Sequence, residues 1–225
     1  MAGIPPRERQ SKPSLWRVNP LCPAPGILAH VSSVLAMGGT VVYPTETFYG
    51  LGAHPCEEEA VRRVYILKGR DPGKPLPCIA SDMAAVSGAI SVWPPEAEAL
   101  ARSFWPGPLT IILPASADLP SIAHAGTGKI ALRISSHPVA RTLAAGVGGL
   151  LVSTSANPAG GPPCLRVRDI PGALLARVDG VLDAGDLPGG LPSTIVDLTC
   201  MPPRLVRTGR VPWESIVESI RSPSE

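Results

Sequence analysis

Short apolar runs alternate with polar, glycine- and proline-rich turns along this chain, and the spacing of the apolar positions switches between helical and strand periods. Ile27, Leu28, Val31, Val34 and Leu35 recur at helical spacing and stop at Gly38, which predicts a helix. Thr40, Val41, Val42 and Tyr43 then predict a strand, since β-branched and aromatic residues suit a pleated, buried surface. After Pro44 the pattern turns polar: Thr45, Glu46 and Thr47 put two hydroxyls and a carboxylate in one turn, with Gly50 and Gly52 behind them. That stretch reads either as a turn between two strands or as a binding loop whose glycines let a ligand approach the backbone. Further helices are expected at residues 57–68, 82–90, 95–104, 137–145, 169–178 and 212–220. Strands are expected at 77–80, 109–113, 130–134, 150–153, 181–183, 194–198 and 204–206. Strands and helices interleave without strict βαβ regularity, so the pattern predicts an α/β fold with a mixed twisted β-sheet flanked by helices.

Composition narrows this picture. Apolar residues make up 44% of the 225 and aromatics only 4%, so the core must be aliphatic. Residues 1–25 carry Pro5, Pro6, Pro13, Pro20, Pro23 and Pro25 with little apolar periodicity, which predicts an extended or disordered arm. No linker divides residues 26–225, which are expected to form a single domain. A net charge of +2 calls for no nucleic acid by itself, so any basic patch must be local. Cys22, Cys56, Cys78, Cys164 and Cys200 are odd in number and never spaced CxxC, against both a disulfide framework and a zinc site; they are expected to be buried thiols in a reducing cytosol. No apolar run reaches membrane-spanning length, and Pro5, Pro6, Arg7, Glu8 and Arg9 stand where a signal peptide needs an apolar segment. The expectation is a soluble cytoplasmic protein with no membrane partner.

Three strand or helix ends carry candidate chemistry. Lys68 and Arg70, with Lys74 behind them, sit where a helix gives way to a Gly- and Pro-rich loop; the set is either an anion clamp or a solvated helix end. Ser153, Thr154, Ser155 and Asn157 follow an apolar strand, where small polar groups either bind a nucleotide or cap the next segment. Ser193 and Thr194 repeat the theme. His30, His54, His124 and His137 are scattered, and no GxSxG, HExxH, Walker or GxGxxG motif occurs. Such a chain suits a reaction driven by positioning and charge neutralisation, such as phosphoryl or nucleotidyl transfer.

Taken together, PTETFYGLG at 44–52, KGR at 68–70, KPL at 74–76, WPGPLT at 105–110, ALRISSHP at 131–138, STSAN at 153–157, STIVDL at 193–198 and LVRTG at 205–209 resemble the YrdC-like, threonylcarbamoyl-AMP synthase family in its single-domain form. The resemblance implies a YrdC-like fold with a positively charged cleft. It further implies nucleotidyltransferase activity that joins L-threonine, bicarbonate and ATP into threonylcarbamoyl-AMP, releasing pyrophosphate, for N6-threonylcarbamoyladenosine modification of tRNA. On the matching positions it implies Lys68 and Arg70 as catalytic residues. Thr45, Thr47, Arg133, Ser153 and Ser193 would bind threonine. Lys68, Arg70, Lys74, Ser155, Asn157 and Arg207 would bind ATP, with magnesium held through the phosphates and no metal site in the chain. Implied partners are tRNA, through a basic cleft, and the proteins that take up the threonylcarbamoyl group. Lys74 stands where relatives often have Asn, and Ile79 stands where many have a threonine-contacting His. Two other readings share the fold: an RNA-binding module without ATP turnover, and an adenylating enzyme using carbamoyl phosphate.

Overall fold

The computed structural model describes residues 12–221, in which ten strands form one mixed sheet with helices on both faces. The strands are β1 (Ser14–Arg17), β2 (Thr40–Pro44), β3 (Tyr49–Ala53), β4 (Cys78–Ala80), β5 (Leu109–Pro114), β6 (Lys129–Ile134), β7 (Leu150–Ser155), β8 (Gly180–Asp183), β9 (Thr194–Asp197) and β10 (Arg204–Arg207). Across the sheet they run β1-β8-β2-β3-β7-β4-β6-β5-β9-β10. Four neighbouring pairs are parallel (β1 with β8, β2 with β8, β4 with β6, β5 with β9) and the rest are antiparallel.

The helices follow their sequence signals. Helix α1 (Pro25–Ala36) opens with Pro in its first turn and buries Leu28, Val31 and Leu35. Helix α2 (Glu58–Lys68) has Glu58 and Glu59 in its first turn and ends at Gly69, whose φ of 58° is the left-handed C-terminal cap that glycine adopts freely. Its buried stripe is Val61, Val64, Tyr65 and Lys68, so a lysine occupies the last core-facing position. Then come α3 (Met83–Ala89), α4 (Pro95–Phe104), α5 (Pro138–Gly146), a short α6 (Gly172–Leu175) and α7 (Trp213–Arg221). The helix expected over 169–178 is mostly turn, reduced to α6 and a turn of 3-10 helix at Val167–Asp169.

Register decides where the core lies. On one face, Val42, Tyr49, Leu51, Val152, Cys78 and Leu132 pack into a cluster with α2 and α3. On the opposite face, Val41, Tyr43, Leu151 and Ile79 are covered by α1 and α5. That cover reaches only the half of the sheet around β2, β3, β7 and β4. The same face of β6, β5, β9 and β10 carries Arg133, Thr110, Asp197 and Arg207 among the apolar Ala131, Ile112 and Ile195. The remaining apolar side chains of β5 and β9 pack with α4 and α7.

Two further expectations change. The strand at 14–17 falls inside the stretch expected to be an extended or disordered arm, and it pairs in parallel with β8; residues 1–11 lie outside the described residues. Trp16 holds it there, its ring lying where a Cβ on Gly180 would sit at 2.5 Å. The cysteines are all free, but only Cys78 and Cys164 are buried; Cys22 and Cys56 are exposed and Cys200 is intermediate. Among the described residues no helix is long and apolar enough to cross a membrane.

The stretch after Pro44 is a hairpin turn, for β3 follows it and pairs antiparallel with β2. Gly50 and Gly52 therefore serve packing in the first instance. Tyr43 pairs with Gly50, and its fully buried ring lies over both glycines: a Cβ at position 52 would meet Tyr43 Cε1 at 2.7 Å and the Val152 carbonyl at 3.2 Å. Gly52→Ala is expected to overpack this site and cost about 1–3 kcal/mol, read as a lower urea midpoint with an unchanged slope. Wild-type stability in that variant would show that the ring has room to move.

Candidate functional site

The uncovered half of the sheet face forms a cavity of about 540 Å³. Side chains alternate across a strand and paired residues share a face, so the register states which positions point into it. Ser153 and Ser155 pair with Gly52 and Gly50, Ile79 with Arg133, Ala131 with Ile112, Thr110 with Ile195, and Ile112 with Asp197. All of these except Gly52 line the cavity. Arg207 joins them through an irregularity in β10. Arg204 pairs with Asp197 and Leu205 with Val196, so regular pairing would set Val206 against Ile195 and turn Arg207 to the other face; a bulge at Val206 sets Arg207 opposite Ile195 instead.

Of the residues expected to form the site, Thr45, Thr47, Arg70, Arg133, Ser153, Ser155, Ser193 and Arg207 line this one cavity. The two threonines differ. The Thr45 hydroxyl donates to the Phe48 carbonyl at 2.7 Å and accepts from the Thr47 and Phe48 amides at 3.3 Å, so it closes the turn. Among the described residues the Thr47 hydroxyl has only the Thr45 oxygen, at 3.4 Å, and is the freer of the pair. Ser193 Oγ lies 2.9 Å from Thr110 Oγ1 and accepts from Arg207 Nη2 at 2.9 Å, while the Ser193 carbonyl accepts from Arg207 Nε and Nη2. Arg70 is held from below, Nε on the Lys74 carbonyl at 3.2 Å and Nη2 on the Pro75 carbonyl at 2.9 Å.

Lys68, Lys74 and Asn157 are placed otherwise. Lys68 is only 4% exposed, and its ammonium donates to the Ser155 carbonyl at 2.7 Å, the Ser155 hydroxyl at 3.2 Å and the Asn157 carbonyl at 2.6 Å. It stands behind the cavity wall and ties the end of α2 to the loop after β7. Burial, and secondly the charge of Arg70, push it down to about 8. Asn157 is buried in that loop; its Nδ2 donates to the Pro158 and Gly161 carbonyls, and its Oδ1 has no hydrogen-bond partner among the described residues. The Lys74 side chain is exposed and outside the cavity lining.

Like charges crowd this cavity. Arg133 is pushed down to about 10 by burial, and the charge of Arg207 acts in the same direction. Arg207 is lowered by partial desolvation and then by Arg70. Arg207, from β10, thus lies within electrostatic reach of both Arg133 on β6 and Arg70 past the end of α2. Three neighbours, Glu46, Lys129 and Arg204, were given no role from the sequence. Glu46, noted there only as a carboxylate in the turn, pairs with Arg133 and accepts from Ser135. Lys129 and Arg204 flank Asp197 on the lower wall, at 3.6 and 3.2 Å from its Oδ2. Strand alternation from Arg133 points to Lys129; nothing local marks Arg204, which depends on the pairing of β10.

Known proteins resemble this chain over most of its length. The Sua5/YciO/YrdC family model, described as "Telomere recombination", matches residues 33–209. A threonylcarbamoyl-AMP synthase of Pyrococcus abyssi is 36% identical over 183 residues, 81% of this chain and 54% of the relative, so the chain spans about half of that protein. One of Xanthomonas campestris pv. campestris is 40% identical over 181 residues, covering 80% of this chain and 92% of the relative. The crystal structure of Pyrococcus abyssi Sua5 complexed with L-threonine superimposes with a TM-score of 0.86 at 32% identity, over 92% of this chain and 60% of that one. The family model covers most of the chain, and the chain belongs to the Sua5/YciO/YrdC family.

Proposed function

We propose that this chain is an L-threonylcarbamoyladenylate synthase, a nucleotidyltransferase that converts L-threonine, bicarbonate and ATP to threonylcarbamoyl-AMP, pyrophosphate and water. The observation that carries the reading is the convergence of Arg70, Arg133 and Arg207 on one cavity that also presents the hydroxyls of Thr47, Ser153 and Ser193. Arg70 and Arg207 have no carboxylate partner among the described residues, and cations so placed in a partly desolvated hollow favour an arriving anion; the substrates bring a carboxylate and a triphosphate. Arg133, with Thr47 and Ser153 beside it, suits the amino acid. Arg70 and Arg207, with Ser155 and the Lys68-tethered loop, suit the nucleotide. When the carboxylate of threonylcarbamate attacks the α-phosphorus, negative charge builds on the phosphoryl oxygens and the departing pyrophosphate. Guanidiniums fixed in advance by backbone carbonyls stabilise that charge without having to reorganise. Ile79, fully buried in the cavity floor, gives an apolar surface where relatives often have His.

The family resemblance implies magnesium. Among the described residues no group of three or more His, Cys, Asp or Glu could hold a metal ion, and Asp197, the one carboxylate in the lining, is engaged by Lys129, Arg204 and Thr199. A divalent ion would come with the phosphates, and the chain's own part is to neutralise charge with guanidiniums. The product would pass to proteins that transfer the threonylcarbamoyl group to tRNA in the cytoplasm, with tRNA itself meeting the basic cleft. A pure RNA-binding role is less supported, because the relatives are named as synthases.

The deciding assay is release of pyrophosphate from ATP, expected only when L-threonine and bicarbonate are both present; turnover indifferent to threonine overturns the reading. Arg70→Ala and Arg207→Ala are each expected to lower kcat/KM roughly a hundredfold, the scale of losing one charge-stabilising donor. Arg207→Lys should recover only part, because it keeps the charge but loses the fork that Ser193 orients. If the alanine variants keep full rates, the guanidiniums lie outside the site. The Lys68 tether needs its proton, so activity should be full below about pH 8 and fall as pH rises through that value. Stability moves the other way: the unfolded chain holds this proton up to about 10.5 and the folded chain only to about 8, so folding gains between the two. A pH-rate profile of Lys68→Met, low in activity and without the alkaline limb, checks the assignment; an unchanged limb refutes it.

A further inference from the structure

The side chain of Glu46 leaves the β2–β3 turn and reaches the far end of β6. One of its oxygens pairs with Arg133 Nη1, and the other accepts from the Ser135 hydroxyl. The side chains of Glu46 and Arg133 are 12% and 11% exposed. In the sheet, β7 and β4 lie between β3 and β6, so this contact joins two elements that no backbone pairing connects. Its socket is fixed. Ser135 is fully buried, and its Oγ also accepts from the His137 amide at 3.2 Å, at the start of α5. The turn beneath Glu46 is closed by Thr45. Glu46 is thus an anchored partner, with Oε2 bonded to Ser135 and Oε1 left to the ion pair with Arg133, and differs from a swinging gate.

Arg133 is held on one edge only. Its remaining N–H groups face the cavity and have no hydrogen-bond partner among the described residues. The nearby charge of Arg207 repels it, and a guanidinium without a counter-charge would turn away into solvent. A carboxylate gripping one side keeps the planar fork rigid and directs its free side at whatever enters.

We propose that Glu46 is a positioning residue for amino-acid recognition: without touching the substrate, it holds Arg133 so that the free edge of the guanidinium meets the α-carboxylate of L-threonine. The inference rests on the synthase reading. It assigns the acidic residue of the turn a role toward one substrate only, since the nucleotide is placed by Arg70 and Arg207, which Glu46 does not contact.

The test is calorimetric binding of L-threonine to the full chain, alongside steady-state kinetics, for wild type, Glu46→Gln and Ser135→Ala. Gln keeps the size and the bond to Ser135 but removes the charge. Expected are a rise of about tenfold in Kd and KM for L-threonine, the order of losing one charge-assisted contact, and a KM for ATP changed less than about twofold. Ser135→Ala, which loosens the socket and carries the test if Glu46→Gln fails to fold, should shift threonine affinity in the same direction. The double variant should be no worse than Glu46→Gln, because both act through one path. Wild type that binds threonine, with both variants binding it equally well, overturns this inference alone. Parallel rises in KM for threonine and ATP show a general structural role and also overturn it. Wild type that binds no threonine removes the synthase reading, and this inference with it.

Discussion

Repulsion among like charges is the constraint that the rest of this molecule answers. Arg207 lowers the proton affinity of Arg133, and Arg70 lowers that of Arg207, a repulsion set against a fold of ordinary marginal stability. The protein holds each of them by a different device. Backbone carbonyls of Lys74 and Pro75 seat Arg70, the carbonyl and hydroxyl of Ser193 seat Arg207, and a carboxylate seats Arg133. Lys68 is drawn back from the cavity and made to hold the loop after β7.

The fold makes room for this by leaving its sheet half covered. Helices α1 and α5 close one face over β2, β3, β7 and β4, and the same face stays open over β6, β5, β9 and β10. Because β5, β6 and β9 bury their other face, the open half is free to carry polar residues without weakening the core. The bulge in β10 is the local irregularity that this requires: it turns Arg207 into the cavity while Val196 and Leu198, on the neighbouring segment, stay packed with α4 and α7. Beside the cavity, Tyr43 fills the space above two glycines, with its hydroxyl near Ser153 and Arg133.

Much of the candidate site was legible because its residues stand at strand or helix ends, where composition changes abruptly. Arg70 after the glycine cap of α2, Ser153 and Ser155 at the end of β7, and Ser193 before β9 all line one cavity as their positions suggested. The contacts of Glu46 were not legible, since its partners lie 87 and 89 residues away and nothing in PTET says which way the carboxylate points. The part Lys68 plays could have been suspected from its place on the apolar stripe of Val61, Val64 and Tyr65, which predicts a buried ammonium in need of acceptors.

By itself the sequence determined the identity and order of most elements, because hydrophobic period, proline at helix starts and glycine at helix ends are local signals that act within a few residues. It also determined the family, through motifs whose order survives in one dimension. Tertiary structure alone decided that β1 joins the sheet, since the site for Trp16 is an empty space over Gly180, 164 positions along the chain. It likewise decided that the glycines of the β2–β3 hairpin serve a tyrosine ring, and that Arg207 faces the cavity. Each of those outcomes depends on which strand lies beside which. Pairing energy belongs to two distant segments at once, and no pattern read along one of them contains it.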